Sequence, residues 1–505
     1  MTEAVTAPGL AAARAGLALP ALEQLVDGAW STPADTLDLV LEDPYLGTQV
    51  GTAVASGADA VEAALAAADR VHRAGSWSGT TPERRAEILD AVGVRLAEEL
   101  PRLAALEAFA TGVPIAQTGI VAVIVPGAFH LAAQMLRDGV LASTVTGEHG
   151  NPVEVHRLPL GPALSLVPWN APAPMAAHKI ASSLAAGAPT LLKPSEYAPW
   201  GTTALARVVD EVLTAEGVAP GTFQLLHGGP AVGGALVTAP RIRAVSFTGG
   251  LRGGREIAGA CAANFTALQL ELGGNNPLVV LPDADPAAAA RHAADLLTTL
   301  NGQWCRALGR LVLPRGLADE VLAGIGERLA TLTVGDPLDP ATELGPIVHS
   351  GHLARLRADI EERRVAGGTV HTSTPLPGGP GNFLAPTLLT EVPAEAAVHE
   401  VFGPVATVHV YDDVEEAVAL ANGTPFGLEG YVVGTDTDAA LAVARRIRAG
   451  EVKVNGSTIM SLHLMTPRPA WGLSGMGEEG TVETIRIFTG ARVVGVEGGY
   501  SLHGR

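Results

Sequence analysis

The sequence predicts an α/β protein of two parallel-sheet lobes, with a small β arm beside them. Three observations carry this. A chain of 505 residues exceeds what one hydrophobic core serves, so two or three lobes are expected. From residue 163 onward, short runs apolar on both faces alternate with helical patterns, as in parallel strands covered by helices. Finally, 47% hydrophobic and 17% charged residues supply large cores and exclude a disordered chain.

Each element follows in chain order. Met1-Thr-Glu-Ala lacks a basic region, and the Ala-rich stretch 11–21 carries Arg14 and Pro20, so a frayed leader is expected rather than a signal peptide. Apolar residues at three-and-four spacing predict helices over 58–68 and 86–106, and Thr81-Pro82 reads as an N-cap with proline at the first helical position. Ala108 to Leu136 contains no charged side chain, which is long enough to span a bilayer. Pro114, Pro126, Gly112, Gly119 and Gly127 would leave backbone groups unpaired in lipid there, so a buried, broken element is expected, with no membrane partner and a cytoplasmic default. Short strands are expected at 164–167, 190–192, 223–226, 244–247, 267–271 and 278–281. Helices fall between them at 174–184, 203–215, 232–238 and 254–263. The order repeats after Gln303, with strands near 311–313 and 407–411 and helices over 317–332, 353–365 and 438–446. Thr144–His156 and Ile485–Gly498 alternate apolar and polar residues, as exposed edge strands do, and could build an oligomer sheet.

Composition bounds the partners. Thirty-three Lys and Arg against 52 Asp and Glu give a formal net charge of −19, which repels nucleic acid and anionic membranes. Two cysteines exclude a disulfide framework and thiolate-rich zinc clusters, and no metal is expected. Sixty glycines and 36 prolines without a repeat indicate many tight turns.

Several positions could carry chemistry. Cys305 lies in Asn301-Gly-Gln-Trp-Cys-Arg, a glycine-containing loop entering an apolar strand; Gln303 and Arg306 would favour a thiolate, although a lone cysteine is more often a buried hydrophobe. Cys261, inside an Ala-rich helix, fits the inert description. Glu271 ends an apolar run just before Leu-Gly-Gly-Asn-Asn-Pro, where α/β sheets carry catalytic groups and burial raises a carboxyl toward general-base range; a turn cap explains it equally well in isolation. Asn170 sits in a turn bracketed by Pro168 and Pro172, as a fixed amide donor or a plain Asx-turn. Lys193 and Glu196 follow a strand. His227-Gly-Gly-Pro-Ala-Val-Gly and Ser246-Phe-Thr-Gly-Gly each open a helix, a moderate signal for a mononucleotide-binding fold.

Together these pieces resemble the aldehyde dehydrogenase superfamily. The resemblance is carried, in family order, by Pro168-Trp-Asn-Ala-Pro, Lys193-Pro-Ser-Glu, Phe247-Thr-Gly-Gly, Glu271-Leu-Gly-Gly-Asn-Asn-Pro, Asn301-Gly-Gln-Trp-Cys-Arg, Glu400-Val-Phe-Gly-Pro-Val and Ser474-Gly-Met-Gly-Glu-Glu. The 34 positions from Glu271 to Cys305 match the family's base-to-nucleophile spacing. It implies a Rossmann-like coenzyme domain over 20–140 and 160–271, a catalytic α/β domain over 272–470, and an oligomerisation arm over 141–159 and 485–500. It further implies oxidation of an aldehyde to the acid by a homodimer or homotetramer, with Cys305 as nucleophile, Glu271 as base for water, and Asn170 with the Cys305 N–H holding the oxyanion. Lys179 and Glu479 fall at the family's proton relay. For the coenzyme it implies Lys193 and Glu196 at the adenosine ribose, Gly229 and Gly233 beside the adenine, Gly250 at the pyrophosphate, Glu400 and Phe402 at the nicotinamide end, and Pro168 and Trp169 alongside. A carboxylate at Glu196 favours NAD, with NADP possible.

Departures from the family pattern matter too. Ala171 and His178 replace aromatics, which implies a roomier, more polar tunnel past Met175 and Trp304 for a bulky or functionalised aldehyde. Arg468 replaces the aromatic of the common Pro-Phe-Gly-Gly segment and could meet an anionic group or be solvated. Gly250, Gly253 and His352 replace the family's usual cofactor contacts and imply altered dinucleotide binding. The alternatives are a CoA-acylating enzyme, which Glu271 argues against; a cysteine esterase or thioesterase, which leaves the glycine turns unused; and an inactive structural member.

Overall fold

The structure is a computed structural model describing residues 14, 16–147 and 150–496. Two sheets organise it. In the first, the strands run in the order Ala29–Ser31, Gln24–Val26, Phe223–Leu225, Thr190–Lys193, Ala163–Leu166, Ala244–Thr248, Ala267–Glu271 and Gly475–Met476. The middle five are parallel and both edges antiparallel. The chain steps outward one way from 163–166 and the other way from 244–248. Their carboxyl ends therefore flank a crevice, the usual ligand position in such sheets.

The second sheet has the order Thr369–Thr372, Thr387–Thr390, Val405–Tyr411, Leu308–Pro314, Asn276–Val280, Glu429–Val433 and Glu451–Val454, parallel except at its first edge. Ala163–Leu166, Thr190–Lys193 and Asn276–Val280 are buried along their whole lengths, as expected of strands covered on both faces. Strand Ala267–Glu271 has the predicted bounds. Helices start earlier than the apolar spacing indicated, at Pro172 and Trp200, because the polar and proline-rich first turn carries no apolar periodicity.

The strands before residue 57 went unread. Asp35–Asp43 and Thr48–Ala55 form a hairpin whose register slips twice, which blurs the alternation that marks a strand. The uncharged stretch folds as Leu100–Thr111, Ile115–Ala122 and Ile124–Arg137, broken at Gly112–Pro114 and Val123. Among the described residues, 115–137 is the one helical run long and apolar enough to cross a membrane. Its Val125, Phe129, Ala132 and Leu136 are buried, and the run packs on helices Pro82–Glu98 and Pro172–Ala185.

Strands Ala142–Thr146, Pro152–Pro159 and Thr489–Gly495 form a three-stranded antiparallel sheet. The expected start of its last strand at Ile485 is corrected. Thr481–Ile487 is a helix, because Ile485 and Phe488, three apart, both bury completely in the first core. Residues 497–500 of the expected arm lie outside the described residues.

Candidate active site

Cys305 stands at the end of a loop whose backbone is held in an unusual shape. Leu300, Asn301 and Gly302 are consecutively left-handed, with φ of 50°, 56° and 68°. Such a conformation costs a side-chain-bearing residue on the order of 1–2 kcal/mol, so neighbours must enforce it. They do. The Leu300 N–H donates to Gln117 Oε1 at 2.7 Å. Asn301, fully buried, donates from Nδ2 to the carbonyls of Gly112 (2.8 Å) and Pro346 (3.1 Å) and accepts from the Gly345 N–H at 2.9 Å. Glycine is required at 302, where a Cβ would stand 2.4 Å from Pro404 N. Beyond the turn, Asn276 Nδ2 donates to the carbonyls of Cys305 (2.9 Å) and Ala307 (2.7 Å).

Asn170 ties the opposite sheet to this loop, its Nδ2 donating to the Gln303 carbonyl at 2.9 Å. That bond uses one of two amide hydrogens. Glu271, at the end of its strand, is buried and lines the same cavity as Cys305. Burial, helped by the Glu479 charge, pushes the Glu271 carboxyl up to about 7 against the opposing pull of Cys305, Arg306 and Lys179. Cys305 keeps an opening to the cavity, yet burial and then the Glu271 charge raise its thiol well above the ordinary value.

The expected thiolate is therefore corrected. Arg306 does attract it, but this cation is paired with Glu429 and, at 2.8 Å, with Glu451, and desolvation outweighs its pull.

Edge strand Gly475–Met476 places Gly475 opposite Glu271. It thereby brings Glu479 to the site, where burial raises the carboxyl but Arg468, Lys179 and His178 outweigh it and hold it at about 2. Lys179 is completely buried, 3.7 Å from Glu479, and donates to Ser246 Oγ at 2.7 Å, so this is no surface ion pair. Arg468 lies directly across a two-residue ladder from Glu479, 3.3 Å away, and is three-quarters buried rather than solvated.

A cavity of about 460 Å³ joins these groups. Asn170, Glu271, Cys305, Arg468 and Glu479 line it, with Ala171, Met175 and Trp304 of the expected substrate wall. His178 is not among its lining residues; its Nε2 faces Thr484 Oγ1 at 3.1 Å. His178 therefore contributes no surface to the cavity wall. Val121, Ile124, Leu300 and Ile459 add aliphatic surface to a wall that also carries Arg468 and Glu479.

Toward the crevice, the cavity meets Pro168, Trp169, Gly250, Glu400 and Phe402. Gly250 caps helix Leu251–Ala262, and nothing lies within 4 Å of where its Cβ would stand, leaving an open helix N-terminus. Glu400 accepts from the Gly274 N–H at 2.9 Å, and burial pushes its carboxyl to about 8. Lys193, Glu196, Gly229 and Gly233 form a separate cluster outside the cavity. Lys193 Nζ is 3.6 Å from Glu196, and Cβ atoms at Gly229 and Gly233 would approach those two side chains at 3.8 Å. At the departures, Phe247 stands 3.2 Å from where a Gly253 Cβ would lie. His352 Nε2 donates to the Phe402 carbonyl at 2.7 Å, and its ring packs on Trp169.

Sequence reasoning missed the supports of the site. Asn276, Asn301 and Gln303 stand inside quoted motifs, so their position was the available signal. Glu107, buried and accepting from the Ala173 N–H at the start of helix Pro172–Ala185, gave none. Among the described residues no cluster of side chains suits a metal ion.

The model of the aldehyde dehydrogenase family matches residues 30–494. The chain is 32% identical to a betaine aldehyde dehydrogenase of Sinorhizobium fredii, covering 94% of this chain and 97% of that one. It is 32% identical to a 3-succinoylsemialdehyde-pyridine dehydrogenase of a Pseudomonas species, covering 90% and 94%. Its fold superposes on betaine aldehyde dehydrogenase of Staphylococcus aureus in complex with NAD+ with a TM-score of 0.89, at 28% identity and 96% coverage of both chains. A cysteine-to-alanine mutant of aldehyde dehydrogenase C from Pseudomonas syringae, solved with NAD+ and octanal, gives 0.87 at 31% identity, covering 94% and 98%. With a match across nearly its whole length, this chain belongs to the aldehyde dehydrogenase family.

Proposed function

We propose that this protein oxidises an aldehyde to the carboxylic acid with NAD, using Cys305 as nucleophile and Glu271 as base. The supporting observation is the convergence of Cys305, Asn170 and Glu271 on the wall of one cavity, with the Glu271 carboxyl poised near neutrality by burial. Glu271 in its charged form takes the thiol proton, and the sulfur adds to the aldehyde carbon to give a thiohemiacetal. The free amide hydrogen of Asn170 and the Cys305 backbone N–H hold the oxyanion. NAD, when bound, supplies the acceptor for the hydride that leaves the carbon. After passing the thiol proton on to solvent, Glu271 takes a proton from water, whose oxygen attacks the thioester; the acid leaves and the Cys305 sulfur is reprotonated. Lys179, Arg468 and Glu479 surround this base with fixed charge.

The residues suit the coenzyme. The open helix N-terminus at Gly250 would take the pyrophosphate, Glu400 with Phe402 the nicotinamide ribose and ring, and Lys193 with Glu196 the adenosine ribose, beside Gly229 and Gly233. Glu196 disfavours a 2′-phosphate, which supports NAD over NADP. We assign the coenzyme domain to 20–140 and 160–271, the catalytic domain to 272–470, and the arm to the strands Ala142–Thr146, Pro152–Pro159 and Thr489–Gly495. Val145, Val493 and Val494 are exposed on the arm, which supports a homodimer or homotetramer.

Ala171 on the cavity wall leaves room for a bulky aldehyde. Reduction of NAD and NADP across an aldehyde panel, with Cys305→Ser and Glu271→Gln, tests the whole reading. Bulky aldehydes should have the higher kcat/KM, Cys305→Ser should be inactive, and Glu271→Gln should accumulate acyl-enzyme. Normal turnover by Glu271→Gln would refute the base assignment.

A further inference from the structure

The substrate wall carries a charge that the family pattern does not place there. Arg468 lines the cavity that holds Cys305, and its side chain is 25% exposed. Among the described residues its one ion pair is with Glu479. That carboxylate also faces Lys179, 3.7 Å away, so two cations balance its single charge. The second carboxyl at the reacting end, Glu271, is buried. A cationic group entering beside Cys305 would meet a guanidinium, next to a Glu479 carboxylate whose charge Arg468 and Lys179 already balance.

Nor does the wall offer aromatic faces to replace one. A quaternary ammonium is normally gripped by several rings within about 6 Å. Here Ala171 and Arg468 stand at two positions where aromatics would serve, and Trp304 is the aromatic next to Cys305. Trp169 and Phe402 pack on each other at the crevice end, 5.4 Å between ring centres. Aliphatic side chains of Val121, Ile124, Met175, Leu300 and Ile459 also line the cavity. Ile120 and Val123, on the same helical segment as Val121 and Ile124, are 61% and 51% exposed and extend the apolar character to the surface.

We propose that Arg468 is a specificity-determining residue that makes this pocket reject aldehydes bearing a positive charge near the carbonyl and take uncharged ones with an apolar body. The proposal rests on the aldehyde-oxidising function above. It separates this chain from relatives of about a third identity whose names specify betaine aldehyde.

Two isosteric probes isolate the charge: betaine aldehyde, a trimethylammonium acetaldehyde, and 3,3-dimethylbutanal, in which carbon replaces nitrogen. We expect the wild-type protein to have at least tenfold higher kcat/KM for the neutral probe. Arg468→Leu should shrink that ratio at least fivefold, mainly through KM for the cationic probe, whereas Arg468→Lys should keep it. Using a ratio cancels any effect of the substitutions on folding yield. Where both probes turn over too slowly, the corresponding alcohols, choline and 3,3-dimethylbutan-1-ol, are compared as competitive inhibitors, with the same ratio expected in Ki. Parity between the probes, preference for the cation, or an equal ratio in wild type, Arg468→Leu and Arg468→Lys would overturn the proposal. Failure of every aldehyde to reduce NAD would instead overturn the aldehyde-oxidising function, so the two failures are distinguishable.

Discussion

Lowering the pH through neutrality should switch off release of the acid, because the base that activates water then keeps its proton. Burial and the neighbouring Glu479 charge raise the Glu271 carboxyl from 4.5 to about 7. With that value, about one-tenth of Glu271 is charged at pH 6 and about nine-tenths at pH 8. A kcat limited by thioester hydrolysis therefore rises about tenfold between these pH values, with unit slope on the acid side. Glu479→Gln removes one of the charges that raise Glu271, so its acid limb should move to lower pH. The assay is steady-state kcat at saturating aldehyde and NAD, in buffers of constant ionic strength, with acyl-enzyme trapped at each pH by acid quench. A flat profile from pH 6 to 8, a limb near 4.5, or an upward shift in Glu479→Gln would refute the electrostatic reasoning.

Asn301→Ala removes three hydrogen bonds from a left-handed turn and should cost about 3 kcal/mol, read as a lower thermal midpoint together with altered alkylation of Cys305 by iodoacetamide. Gly302→Ala should be worse for activity than for expression, since its Cβ would push Pro404 and displace the nucleophile loop; unchanged kcat would contradict that. Glu107 binds its proton up to about pH 8 in the fold but only to about 4.5 unfolded, so its contribution to stability is lost as pH rises between those values. Glu107→Gln lacks this titration, and its thermal midpoint should fall less than the wild type's between pH 5 and 8.

The parallel strands were legible because burial on both faces leaves an apolar run that no other element of that length shows. Glu271, Cys305 and Asn170 were legible because each sits in a motif at a strand end, in family order. What holds them was not. The left-handed turn at Leu300 and Asn301 is set by contacts from Gln117, Gly112 and Pro346, far away in sequence, and neither residue type announces such a backbone. The protonation of Cys305 was misjudged for a related reason: Arg306 is its neighbour in sequence, but Glu429 and Glu451, which claim that cation, lie more than a hundred residues on. His178 shows a third limit, since helical spacing gives a face but not whether that face meets a cavity or a core.

Strand Gly475–Met476, laid against Glu271, has a consequence for biosynthesis. The first sheet can assemble its other strands once residue 271 has been made, and domains generally fold as they emerge. Yet Arg468 and Glu479, which set the charge around the base, arrive some two hundred residues later. A nascent chain would therefore carry a folded nucleotide crevice long before its reactive sulfur has a tuned proton acceptor, and thiol chemistry would begin only when synthesis is nearly finished.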